Sequence, residues 1–357
     1  RPNMLQNWLK PLPASFLKAA KSLPTSHFGN SVLPFGEHLP DLKKVKIALI
    51  GVGDKEANAV RESLYRMIAP FPAATVADLG NLRKSEASLL IPVVSELLNG
   101  KVMPIILAGK DDLARAQFLA YQDTKSLVNL VSVDERCRFG EPGDVYTALL
   151  QPVHPILFNF GLIGVQTHQT LPGSVDFLTK NHFDVVRLGK SRASIEETEP
   201  VLRDADLLAF HLGALKQSEA PGVEAASPSG YFAEEACQLC RYAGMSDKLS
   251  SFGIYGYRSE SDRDAQTAQV AAQMIWYFLE GFFSRKNDYP VSKDGLTEYI
   301  VEYRQLNYHL TFWKSVRSGR WWMQVPVTTR KKLERHRLIP CSYQDYQQAC
   351  REELPER

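Results

Sequence analysis

No apolar run in the chain approaches the ~20 residues that a membrane-spanning helix needs, so an integral helical membrane protein is not expected. The stretch from Arg1 to Lys10 lacks the apolar segment of a secretory signal. The five cysteines are an odd number without framework spacing, which argues against a disulfide scaffold and for a reducing compartment; the expected location is the cytoplasm. Charge of one sign is also lacking. A net +2 over 357 residues makes no global claim on nucleic acid or an anionic membrane. No Gly-x-Ser-x-Gly elbow and no Walker loop occurs, so nucleophilic-hydrolase and nucleotide-binding readings have no signal. Gly51-Val-Gly53 lacks the third glycine of a dinucleotide loop.

What is present is alternation. Short, nearly continuous apolar runs fall at 45–52, 74–79, 102–107, 127–133, 156–160, 184–188, 206–211 and 251–255, the pattern of strands covered on both faces. Between them lie helical patterns at 55–67, 85–98, 113–121, 194–202, 233–243 and 265–283. Strands and helices in turn predict an α/β protein, a three-layer α/β/α sandwich with a mostly parallel sheet. This domain is expected over 42–283, preceded by an N-terminal arm or cap (1–41) and followed by a basic, tryptophan-containing C-terminal extension (284–357).

Three segments end a buried strand in a loop, where an α/β enzyme places its chemistry. They are Leu107-Ala-Gly-Lys-Asp-Asp-Leu-Ala114, Val131-Ser-Val-Asp-Glu-Arg-Cys-Arg138 and Leu208-Ala-Phe-His-Leu-Gly213. In order and spacing they resemble the metal motifs of the ureohydrolases (arginase, agmatinase, formimidoylglutamase): Gly-Gly-Asp-His-Ser, Asp-Ala-His-x-Asp and Ser-x-Asp-x-Asp. Ala220-Pro-Gly222 and Ser227-Pro-Ser-Gly230 resemble the loop after the third motif, and Asp262-Arg-Asp-Ala-Gln-Thr-Ala268 the segment after the family's catalytic Glu. The layout is most similar to the divergent formimidoylglutamase-like proteins of Bacteroidota. The resemblance implies an arginase-like fold and six metal-ligand positions.

Those six positions fall on Asp111, Asp134, Arg136, Arg138, His211 and Gly213, of which only Asp134 keeps the family's residue. The substrate-holding Glu falls on Gly256. Two divalent ions need several anionic or imidazole ligands to offset their charge and acidify a bridging water. Arginine has no lone pair to give and stays protonated, and glycine offers no side chain. The expectation is therefore no metal cofactor, with Asp134 paired to Arg136, Arg138 or Lys110 as a buried carboxylate requires. A one-ion alternative would use Asp111, Asp134 and His211 to hold one manganese ion.

Remaining motifs carry less. Cys237-Gln-Leu-Cys240 is a lone pair within a helical pattern and reads as packed core rather than a zinc or redox site. His154 and His168 flank a strand and read as hydrogen-bonded structural residues. Between Lys314 and Arg337 stand eight Lys or Arg, one acidic residue and two tryptophans. Such a stretch suits an anionic surface contact as well as a solvated face; nucleic acid, which it would meet through phosphate contacts and stacking, ranks last. The functional expectation is a catalytically inactive ureohydrolase-like protein, a scaffold or subunit with a protein partner or as a homo-oligomer. The alternatives are a metal-dependent C–N hydrolase of formimidoyl- or guanidino-type substrates, and a small-molecule sensor using the old pocket.

Overall fold

Strands of the computed structural model, which describes residues 4–124, 126–137, 139–140, 143–290, 292–304, 306–327 and 335–355, build two sheets. The larger holds β1 (Leu9–Lys10), β2 (Leu33–Pro34), β3 (Ile47–Val52), β4 (Val76–Leu82), β5 (Met103–Ala108), β6 (Val128–Val133), β7 (Leu157–Val165), β8 (Asp184–Arg187), β9 (Leu207–His211) and β10 (Ser251–Tyr255). Its spatial order is β4-β3-β5-β10-β9-β6-β7-β8, every neighbouring pair parallel.

Strands β3, β4, β5, β6, β9 and β10 are buried at every position, as the apolar runs predict for a sheet between two helical layers. Alternate residues face opposite layers. Leu49, Leu107, Phe210 and Ile254 pack with residues of the helices Asp54–Tyr65, Ala233–Met245 and Gln266–Phe283. Ile50, Ala108, Ala209 and Tyr255 pack with those of Ala87–Asn99 and Leu113–Leu119. The fold is the three-layer α/β class that the sequence predicts.

Parallel strands bring all their carboxyl ends to one edge. The order sets β5, β10, β9 and β6 side by side in the middle, so the loops leaving them converge.

Two differences from the sequence reading have physical causes. Strand β7 runs to Val165 instead of stopping near Phe160. Gly161 and Gly164 look like breakers, but Gly164 takes φ +98° at a register shift between Ile163 and Val165, so the strand bends and continues. The first forty residues are also more than a cap: β1 pairs antiparallel and β2 parallel with β4, and Leu5, Leu9, Leu12, Phe28 and Phe35 are buried.

The C-terminal segment forms an antiparallel sheet of β11 (Leu296–Tyr303), β12 (Tyr308–Ser315), β13 (Trp321–Val327) and β14 (Arg335–Cys341), followed by the helix Tyr343–Cys350. Trp313, Trp321 and Trp322 are buried. Arg203, the last residue of the helix Glu199–Arg203, ties that helix to the C-terminal sheet. It donates to the carbonyls of Trp321 (2.9 Å) and Cys341 (3.1 Å) and lies 4.6 Å over the Trp322 ring. Much of the basic cluster, from Arg330 to Glu334, lies outside the described residues. Among the described residues no helix is long and apolar enough to cross a membrane.

Candidate active site

His211 is the last residue of β9, and Asp111 stands three residues beyond β5. Because β10 alone separates those strands, the two side chains meet: His211 Nδ1 lies 2.7 Å from Asp111 Oδ1. The other ring nitrogen, Nε2, lies 2.7 Å from the Tyr146 hydroxyl, which donates to Ser132 Oγ at 2.9 Å. Both imidazole nitrogens are therefore engaged. Burial acts to raise the Asp111 carboxyl; the hydrogen bond and charge of His211, with the charges of Arg258 and Arg136, outweigh it and hold the group below its ordinary value.

The loop after β6 supplies the second half. Arg136 Nε lies 2.6 Å from Glu135 Oε1. Asp134 is packed against Glu135, and burial first, then the negative charge of Glu135, pushes the Asp134 carboxyl well above its ordinary value. Burial would raise Glu135 too, but the bond from Asp134 and the Arg136 guanidinium bring it below. The two carboxyls are thus shifted in opposite directions, and apart from the Asp134–Glu135 bond the buried Glu135 Oε2 has no hydrogen-bond partner among the described residues.

Two glycines make room for these acids. A Cβ at Gly213 would stand 2.7 Å from Glu135 Oε2, and one at Gly256 would stand 3.0 Å from Asp111 Oδ1. In the alignment that the motifs suggest, both glycines stand at positions of acidic residues, and here the neighbouring acids Glu135 and Asp111 lie against them. The result is a cavity of about 310 Å³ lined by Asp111, Asp134, Glu135, Arg136, Tyr146 and His211, with Asp144 and Glu224 adding two further carboxyl groups.

The sequence-predicted positions Asp111, Asp134, Arg136, His211 and Gly213 thus come together, while Arg138 lies outside the described residues. One expected pairing is corrected. Arg136 Nε reaches Glu135 Oε1 at 2.6 Å, so the guanidinium pairs with the neighbouring acid rather than with Asp134. Sequence reasoning missed Glu135 and Tyr146. The signal for Glu135 was an acid in the small-residue position of an Asp-Ala-His motif; Tyr146, 13 residues downstream of β6, left none. His154 and His168 are not among the cavity residues; His154 packs edge-on against Phe118 near Gln122. Cys237 and Cys240 are buried in the helix Ala233–Met245 as expected.

A manganese pair does not fit these side chains. His211 has no ring nitrogen to spare, burial and the Glu135 charge push the Asp134 carboxyl toward its neutral form, Gly213 offers nothing, and the Arg136 cation stands at the cavity wall. The same engagement of His211 and Asp134 disfavours the one-ion set with Asp111. Among the described residues no group of three His, Cys, Asp or Glu side chains is arranged to hold an ion.

No protein-family model matches the chain. Formimidoylglutamase of Streptococcus pyogenes (strain Manfredo) is 24% identical over 290 residues, spanning 70% of this chain and 87% of the relative. Two solved structures share the fold. Trypanosoma cruzi formiminoglutamase with Mn2+ superposes with a TM-score of 0.62 at 18% identity, over 69% of this chain and 96% of that one. Formimidoylglutamase of Bacillus subtilis gives 0.62 at 17%, over 72% and 92%. By fold the chain is arginase-like, and by sequence it is similar to the formimidoylglutamases of the ureohydrolase superfamily.

Proposed function

We propose that this chain uses the ureohydrolase pocket to bind a small formimidoyl- or guanidino-type compound, with hydrolysis of that compound's C–N bond as the activity its relatives point to. One observation carries the reading. The four central strand ends line a cavity of about 310 Å³ that, among the described residues, carries five acidic side chains and one arginine. An amidinium or guanidinium group matches such a wall, and Arg136 suits a carboxylate elsewhere on the same molecule. Asp134, whose carboxyl burial pushes up, and Glu135, whose carboxyl the Asp134 bond and the Arg136 charge bring down, offer an acid and a base within one loop.

A second reading, binding without turnover as a sensor or as a subunit of an assembly, has its own support. The hydrogen bonds on both nitrogens of His211 and the guanidinium of Arg136 replace the ligand chemistry on which a manganese-dependent relative relies. Shared fold does not carry activity with it.

The test is to offer the protein N-formimidoyl-L-glutamate and L-arginine, with and without Mn2+. Binding is read by calorimetry, and formamide, ammonia or urea by direct assay. Saturable binding with product release supports the hydrolase. Binding without product moves the assignment to the second reading, and no binding of either compound sinks the pocket assignment.

A further inference from the structure

We infer that the free edge of β8 is a docking site for an extended, basic segment of a partner protein; this goes beyond the pocket reading and does not depend on it. β8 ends the larger sheet, paired in parallel with β7 on one side and, among the described residues, with no strand on the other. Asp184, Val185 and Val186 are half-buried, and Arg187 is exposed. A cavity of about 450 Å³ touches Asp184, Val185 and Val186 in turn. Successive residues of a strand point to opposite faces, so a cavity that meets three in a row runs along the strand's edge and not over one face. An unpaired edge presents a row of N–H and C=O groups to whatever enters.

The opposite wall is the helix Tyr343–Cys350, which contributes Gln344, Asp345 and Gln348. That helix is fixed in place: the Tyr346 ring stacks on Trp321 at 4.7 Å, and the Asp345 carboxylate accepts from the Ser342 backbone N–H at 2.8 Å. A second cavity, of about 380 Å³, shares Glu197, Gln344 and Gln348 with the first and continues to Arg351 and Glu353. A strand edge that faces a helix across a gap, in a trough prolonged beyond it, suits an extended chain that adds a strand. Charge names the partner. Among the described residues the two cavities carry Asp184, Glu196, Glu197, Asp345 and Glu353 against Lys190 and Arg351. Burial first, then the charges of Asp345 and Glu196, hold the Glu197 carboxyl above its ordinary value, although the Ser342 hydroxyl and Lys190 act to lower it. A basic strand relieves that crowding of acids, and an acidic one adds to it.

The experiment titrates the full chain into three fluorescein-labelled peptides and reads anisotropy. They are an alternating Lys-Val octapeptide, its Glu-Val counterpart, and the Lys-Val peptide N-methylated at every residue, which keeps the charge and removes the donors of a strand. Wild-type protein is expected to bind the Lys-Val peptide saturably, about tenfold tighter than either of the others. Gln344→Trp, at an exposed position on the helix wall, fills the trough and is expected to abolish that binding. Glu197→Gln removes a charge shared by both cavities and is expected to weaken it, while Glu96→Gln, on an exposed helix face elsewhere, is expected to leave it unchanged. If Glu197→Gln does not fold, Glu196→Gln, at an exposed position of the same trough, takes its place. Equal binding of the N-methylated peptide means attraction of charge without strand pairing, and overturns the inference. So does binding that survives in Gln344→Trp, which places the peptide elsewhere. A wild-type chain that binds none of the three overturns it as well; if that chain is a dimer by light scattering and Gln344→Trp a monomer, a second copy covers the edge instead.

Discussion

Gly213 and Glu135 form a single packing unit: the absence of a side chain at the end of β9 is what lets the acid after β6 lie across the pocket wall. A β-carbon at 213 would come within 2.7 Å of Oε2 and 2.9 Å of Oε1. The resemblance to the ureohydrolase motifs sets Glu135 at an alanine position and Gly213 at an aspartate position, and the contact between the two follows from the small size of the one and the reach of the other.

Gly213→Ala should therefore destabilise the fold by about 1–3 kcal/mol, the usual range for an overpacked site. The same substitution in a Glu135→Ala background should cost much less. Urea denaturation of the four proteins measures the coupling between the two positions directly. Additive effects would mean that the two side chains do not share this space.

Much of this was legible before any coordinates, and the limits have physical reasons. Buried parallel strands announce themselves as apolar runs, which is why β3, β5, β6, β9 and β10 fall close to their predicted positions. Asp111, Asp134, Arg136, His211 and Gly213 were placed because each sits within a few residues of a strand end. Glu135 was passed over because motif positions draw the eye to ligands and not to the residue between them. Tyr146 could not be found, since its role depends on how the loop after β6 folds back over His211. The partner of Arg136 is not legible either, since sequence order does not say which of two adjacent acids a guanidinium reaches.

Tyr146→Phe tests the chain of hydrogen bonds beneath the pocket. The hydroxyl bridges His211 Nε2 and Ser132 Oγ, and both are buried. Its loss should leave them without that partner and lower stability by about 1–3 kcal/mol. Chemical denaturation reads the loss, and an unchanged midpoint would show that the three groups do not depend on one another.

Acid should loosen the C-terminal sheet through Asp288. Burial alone would raise this carboxyl, but the Ser318 hydroxyl and the Arg320 guanidinium, whose Nη2 is 2.5 Å away, hold it below the ordinary 3.8. A depressed folded pKa stabilises the protein above the unfolded value and loses that contribution as pH falls through the folded one. The loss is thus expected below about pH 4, and the buried Trp313, Trp321 and Trp322 should report it as a change in fluorescence. Asp288→Asn should weaken the sheet at neutral pH and flatten this acid transition. An identical acid profile in the variant would remove Asp288 as its source.

Manganese supplies the most direct test of the altered ligand set. For an ion to enter as in a ureohydrolase, His211 must surrender Asp111 or Tyr146, and the Asp134 carboxyl, pushed up by burial and by Glu135, must ionise. The ion must also approach the Arg136 guanidinium, which cannot discharge. Each step opposes binding, and together they predict well under one manganese per chain after incubation and desalting, measured by elemental analysis. Tyr146→Phe releases one nitrogen of His211 but neither brings the Asp134 carboxyl down nor removes the charge of Arg136, so it should raise the content little. A value near one would show that Asp111, Asp134 and His211 rearrange into a single-ion site, and would make metal-dependent hydrolysis the leading assignment. A value near two would require carboxylate and imidazole ligands that the aligned positions do not supply, and would overturn the correspondence of Arg136 and Gly213 with the ligand positions of the family.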